Sequence, residues 1–217
     1  MDKKKIIKEE TENIMNFLGL SKKALTYGEE LENVIKIYKY VIQNINSDLN
    51  YREPKANSKQ ERYMDSLLIA LINNPGVYTT NSILFKHLLD MSGTENLIVK
   101  SKSKVSGANA IANLVKIGSE YYYFLPTLEK EMLNEVSMPD NLFMRCAALG
   151  KKDYDRLYFS SEILEDIDKP ASKELPKNIS EESLLKTIVN GINFRLPSLK
   201  RKSSIKSIDE FDEPELI

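Results

Sequence analysis

The chain has 217 residues, 29% of them charged and 41% hydrophobic, which is enough to bury a sizeable core in one domain. Its 31 basic and 32 acidic side chains leave a net charge of −1, so no global field draws it toward nucleic acid or membrane. A single cysteine, Cys146, and a single histidine, His87, exclude an intramolecular disulfide, a multi-thiolate metal centre and any site that needs paired histidines.

In chain order, residues 3–19 predict a short amphipathic helix with Ile7, Ile14, Phe17 and Leu18 on one side and Gly19 near its end. The basic start is interrupted by Lys8, Glu9, Glu10, Glu12 and Asn13, so the segment lacks the apolar stretch of a secretory signal, and its mixed charge favours docking on the domain over a membrane surface. Residues 29–46 give the widest apolar stripe, through Leu31, Val34, Ile35, Tyr38, Val41, Ile42 and Ile45. A polar connection with Pro54 follows, then a third helix over 59–71 that stops at Asn73-Asn74-Pro75-Gly76. A fourth helix carries Ile83, Leu84, Leu88 and Met91 and ends at Gly93.

The period then changes. Residues 95–100 read as a strand, and residues 110–117 and 120–125 read as a hairpin turning at Gly118-Ser119 and closed by Pro126. On the second hairpin strand Tyr122 is expected opposite Tyr121 and Tyr123, with one face in the core and the other at the surface. Residues 128–136 suggest a short helix, and 154–167 a strand edge or loop entering a helix. Residues 168–178, with Pro170 and Pro176, read as a linker, and Ser180 as the cap of a last helix over 181–192. The final stretch pairs a basic block (Arg195, Lys200, Arg201, Lys202, Lys206) with an acidic one (Asp209, Glu210, Asp212, Glu213, Glu215), and is expected to be disordered or to fold against a partner. Helices followed by an antiparallel sheet predict the α+β class.

No phosphate-cradling glycine loop, zinc-protease helix motif, paired-thiol motif or serine-elbow motif occurs, so cofactor and metal chemistry have no support in the sequence. The order of parts is more informative. Gly76-Val77-Tyr78 precedes the fourth helix, Ala110-Ile111-Ala112-Asn113-Leu114-Val115 forms the first hairpin strand, and Tyr121-Tyr122-Tyr123-Phe124-Leu125-Pro126-Thr127 the second. Over about residues 33–128 this resembles the bacterial transglutaminase-like domain, a papain-type core. The family pattern reads Gly-X-Cys before a helix, His-Ala-Trp-Asn on a strand, and an aromatic strand ending in Asp-Pro-Thr. The resemblance implies that the nucleophile, base and orienting positions fall on Tyr78, Ala110 and Leu125. A neutral phenol with a pKa near 10 does not replace a thiolate, Ala110 takes no proton, and Leu125 holds no imidazole.

The expectation is therefore a catalytically inactive protein- or peptide-binding module of a bacterial cytoplasm, without cofactor or metal. Its relic cleft would involve Tyr78, Thr79, Asn113 and Tyr123. The expected division is a helical extension over 1–28, the transglutaminase-like domain over 29–167, the linker, a helix over 179–194 and a charged tail over 195–217. The alternatives are a diverged protease or acyltransferase with a relocated active site, and a nucleic-acid accessory protein using Arg195, Lys200, Arg201 and Lys202. His87 cannot rescue the triad, because it lies roughly 13 Å along the helix from Tyr78. Cys146 has no histidine near it in sequence and reads as a small buried hydrophobe.

Overall fold

The computed structural model describes residues 3–20, 26–44, 59–71, 79–135, 145–166, 169–171 and 174–184. Four helices come first: α1 (Lys3–Phe17), α2 (Tyr27–Asn44), α3 (Lys59–Leu71) and α4 (Thr80–Ser92). Strands β1 (Asn96–Ser103), β2 (Asn109–Ile117) and β3 (Glu120–Phe124) follow, then α5 (Pro126–Glu135), α6 (Lys151–Leu157), β4 (Tyr158–Asp166) and the two-residue β5 (Lys169–Pro170). The five strands form one antiparallel sheet in the order β3-β2-β1-β4-β5, so the fold is α+β. Among the described residues, no helix is long and apolar enough to cross a membrane.

Local chemistry sets the helix ends. Thr26 and Glu29 form a reciprocal capping box: the Glu29 carboxylate accepts from the Thr26 N–H at 2.8 Å, and the Thr26 hydroxyl accepts from the Glu29 N–H at 3.2 Å. This starts α2 two residues earlier than its apolar stripe implied. At the other end of α4, Gly93 takes the left-handed conformation (φ 78°), which lets Thr94 N–H return to Leu89 O at 2.9 Å and close the helix. Pro126 ends β3 as expected and also opens α5, since its missing N–H costs nothing at a first helical position.

The sheet is buried on both faces, and strand parity decides which core each residue enters. Ile98, Ile111, Val115, Ile117, Tyr122, Phe124 and Leu164 meet helices α1 to α4 in one cluster. At its centre the Tyr38 ring lies edge-on to Phe85 and Phe124, with centroids 5.4 Å and 5.3 Å apart, each contact contributing about 0.5–1.5 kcal/mol beyond area burial. Helix α1 joins this cluster through Ile6, Ile7, Ile14 and Met15, and Lys3 pairs with Asp65 of α3 at 2.9 Å. Val99, Ala112, Leu114, Tyr121, Tyr123 and Leu125 face the other way, onto Cys146, Leu149, Tyr154 and Tyr158. Tyr122 does lie opposite its neighbours, but the expected surface face does not exist: all three tyrosines are buried, because residues 145–184 supply a second layer.

That second layer corrects two further expectations. Over 154–167 the helix precedes the strand: α6 ends at Leu157 and β4 runs from Tyr158, its alternation broken by a register shift opposite Lys100/Ser101. Residues 181–183 are not helical, Leu184 is, and the rest of the expected helix, 185–192, lies outside the described residues. Residues 181–183 cross the start of α6 instead, where Ser180 O and Glu181 O accept from the Lys151 and Lys152 N–H groups at 2.7 Å and 3.2 Å, and Ser183 Oγ accepts from Gly150 N–H at 2.9 Å. A helix start that its own residues leave uncapped is thus capped from downstream. The stretch read as a linker also bonds to the sheet at both sides, through β5 on β4 and through Asn178 O accepting from Tyr121 N–H at 3.0 Å.

Gly150 is the tightest point of this crossing. A Cβ there would sit 2.3 Å from the Glu182 carbonyl carbon and 2.6 Å from Glu181 O, both backbone atoms that no rotamer change can move aside. Gly150→Ala should therefore destabilise the protein by about 1–3 kcal/mol, read as a lower midpoint in urea unfolding.

Candidate functional site

The polar feature nearest the expected relic cleft is the first turn of α4. Thr79, Thr80, Asn81 and Ser82 are all buried there, and Asn113 of β2 donates its side-chain N–H to Ser82 O at 2.9 Å. The hydroxyls of Thr79, Thr80 and Ser82, both polar atoms of Asn81 and the carbonyl oxygen of Asn113 find no hydrogen-bond partner among the described residues. Each such atom costs about 1–3 kcal/mol unless matched. Beside them is a small cavity lined by Thr79, Ile83, Ile98, Ile111 and Leu164. The turn offers neutral donors and acceptors next to aliphatic carbon, and none of its hydroxyls touches a base.

The sheet divides the expected site residues. Thr79 and Asn113 lie on the α4 face. Ala110, Leu125 and Tyr123 belong to the opposite cluster, and the Tyr123 ring stacks on Tyr154 at 3.7 Å. Tyr123 therefore does not join Thr79 and Asn113 in one cleft, a correction that follows from parity: a shift of one residue along a strand moves a side chain through the sheet. Tyr78 lies outside the described residues, as do Arg195, Lys200, Arg201 and Lys202.

Cys146 is buried, and burial pushes its thiol well above the ordinary range, an effect reinforced by the Glu129 carboxylate. Its neighbour is a thioether, Met132 Sδ at 3.8 Å. Glu129, which sequence reasoning passed over, is a buried carboxylate that accepts from the Tyr38 hydroxyl at 3.2 Å, the Arg145 N–H at 3.2 Å and the Cys146 N–H at 2.6 Å. It joins α2, α5 and the chain entering α6. The only trace in sequence is its spacing, four residues after Leu125 and three before Met132, on the helix side that should be apolar. Burial and Glu129 together hold the Tyr38 hydroxyl well above 10, and burial with hydrogen bonding to Glu95 pushes Tyr121 up to about 12. These phenols are neutral donors at pH 7. Among the described residues, no group of three His, Cys, Asp or Glu side chains is arranged to hold a metal ion.

A different surface is exposed at the far end of the sheet. Val105 is 92% exposed, Phe159 59% and Leu157 43%, and Lys104, whose ammonium donates to Asp155 O, lies among them in sequence and pairing. Lys104 Nζ lies 4.9 Å from the centre of the Phe159 ring, and its backbone N–H donates to Leu157 O at 3.0 Å. Lys102, also exposed, stands directly across from Phe159 on β1. Here the two edges of the sheet differ. The β3 edge is closed by Cys146, Leu149, Asn178 and Ser180, whose backbones bond to Tyr121, Tyr123 and Leu125. On the β4 edge, β5 pairs with Leu164 and Asp166 and Ala171 donates to Ile163 O, but no described strand pairs with Tyr158–Glu162 on the side away from β1. Sequence reading missed this corner because its residues sat in a stretch without a clear period. The usable signal was Tyr158-Phe159, one side chain in and the next out.

Two outcomes follow from the buried groups. Glu129→Leu strands the Tyr38 hydroxyl and two backbone N–H groups and should cost about 3 kcal/mol or more by urea unfolding. The His87 imidazole, half-buried on α4, is pushed below 6.5 mainly by burial, with Asp90 acting against the shift and Lys86 with it. The unfolded chain then takes up this proton more readily than the folded one. The contribution to stability is complete above about pH 6.5 and is lost as pH falls below it. His87→Asn should flatten that part of the stability profile, measured by urea titrations of both proteins at about pH 7.5 and about pH 5.5. No protein-family model matches the chain, and no curated protein does either.

Proposed function

We propose that this chain is a non-catalytic peptide-binding module with a transglutaminase-like, papain-type build, working in a bacterial cytoplasm, and that it captures an extended acidic segment at the corner around Phe159, where no described strand covers the outer edge of β4. The scaffold reading is supported by the order of parts: α4 after the sequence Asn73-Asn74-Pro75-Gly76, then the β2–β3 hairpin, then Pro126-Thr127. It draws no support from side-chain convergence, since Ala110 and Leu125 face away from α4. The absence of catalysis is supported by what fills those positions, two apolar side chains in a packed layer, and by a cysteine whose thiol is held neutral.

The observation that carries the binding reading is the corner of Val105, Leu157 and Phe159 beside an edge of β4 that no described strand covers over Tyr158–Glu162. Added strands gain main-chain hydrogen bonds at such an edge, while side chains on the neighbouring face give selectivity. Lys102 stands across from Phe159 on the β1 side and Lys104 Nζ lies over its ring, so that face suits a segment carrying carboxylates around an apolar residue.

Labelled acidic peptides with alternating apolar residues should bind the intact protein, with affinity falling as salt rises. Phe159→Ala and Lys104→Glu, both surface changes, should each weaken binding by about tenfold in fluorescence anisotropy. Unchanged affinity in both variants would remove the β4 corner as the site.

A further inference from the structure

Three exposed side chains stand in one row across the end of the sheet. Phe159 of β4 is directly opposite Lys102 of β1, and Lys102 is directly opposite Asn109 of β2. Residues paired in this way project from the same face. The parity of Ile98 and Ile111 identifies it as the face that carries α1 to α4. One row inward the charges are already matched: Lys100 stands between Ile111 and Glu162, and its ammonium lies 3.8 Å from the Glu162 carboxylate. Lys102 has no carboxylate partner among the described residues. Lys104 has a different task. Its ammonium donates to Asp155 O in the last turn of α6, where a cation is favoured, and rests over the Phe159 ring. The cation open to an incoming carboxylate is therefore Lys102.

We propose that the selective stretch of the bound segment crosses the strands from β4 toward β2, setting an apolar side chain on Phe159 and a carboxylate that accepts from both the Lys102 ammonium and the Asn109 amide. Strands lie about 4.8 Å apart, so the point between Lys102 and Asn109 is about 7 Å from Phe159 across the sheet. Two residues of an extended chain cover the same distance and face the same way. Adjacent residues face opposite ways, and four residues span about 13 Å. The row thus reads an apolar residue and an acid two positions apart, on a segment whose one face alternates apolar and acidic. Glu162 stands on β4 itself, so the acid is favoured on the β2 side of Phe159.

The inference rests on the peptide-binding reading, and its test separates the two. The probes are three end-blocked serine-glycine peptides that differ only in where a single glutamate follows a single leucine: one, two or four residues on. Each is titrated into the intact chain and followed by nitrogen-15 chemical shifts. The two-residue isomer is expected to bind about tenfold more tightly than either of the others, and Lys102→Met and Asn109→Ala should each remove most of that preference. Phe159→Ala should weaken all three peptides together. Equal affinity for the three isomers, or binding by the wider set of acidic peptides alone, would overturn the row as the selective element and leave the peptide site standing. Shifts at Phe159, Lys102 and Asn109 caused by a single-stranded oligouridylate and by no peptide would give the row to nucleic acid and overturn both readings. If no acidic peptide of either set binds, the peptide-binding reading fails as well.

Discussion

The constraint on which the rest depends is that one antiparallel sheet is buried on both sides. Most antiparallel sheets in small α+β domains leave one face to solvent and so alternate apolar with polar. Here β2 and β3 read almost continuously apolar or aromatic, because odd and even positions enter different cores. The arrangement explains why Asn113, the one polar side chain in the buried run of β2, is tied to the backbone of α4. It also explains why Tyr123 does not join Thr79 and Asn113, which were expected beside it: the sheet stands between them.

Much of the first layer was legible. The stripe on α2, the stop at Gly93 and the hairpin at Gly118-Ser119 are local signals, each set by one residue's conformational limits or by a period. The second layer was not, for physical reasons. The start of α6 is capped by residues some thirty positions downstream, so no window around Gly150 contains the groups that stabilise it. The polar end of β1, Lys100 to Ser103, lacks an apolar pattern, and its one buried side chain is the polar Ser101, bonded to the Tyr154 hydroxyl of α6. Glu129 could not be told from a surface glutamate by composition alone, since its burial depends on partners from α2 and from residues 145–146.

The candidate site shows the same split. Thr79, Asn113 and Tyr123 were placed together from sequence; the first two do share a face, and Tyr123 stacks on Tyr154 behind the sheet. The β4 corner was missed because an open edge is a property of pairing, and pairing is set by topology. Phe159 became informative only once Lys102 was known to stand across from it.

The crossing at Gly150 has a further consequence during synthesis. A chain emerging from the ribosome in order can form α1 to α4 and the β2–β3 hairpin from residues already made. The outer edge of β3 is different: it needs residues 146–149 and then 178–180, and α6 needs 180–183. Until about residue 184 has emerged, the aromatic strand Tyr121–Phe124 has an uncovered side and an incompletely paired edge, the kind of surface that nascent chains share with one another. Vectorial folding of this protein is therefore gated late, and slow translation between residues 125 and 184 lengthens the interval in which holdase chaperones have something to hold.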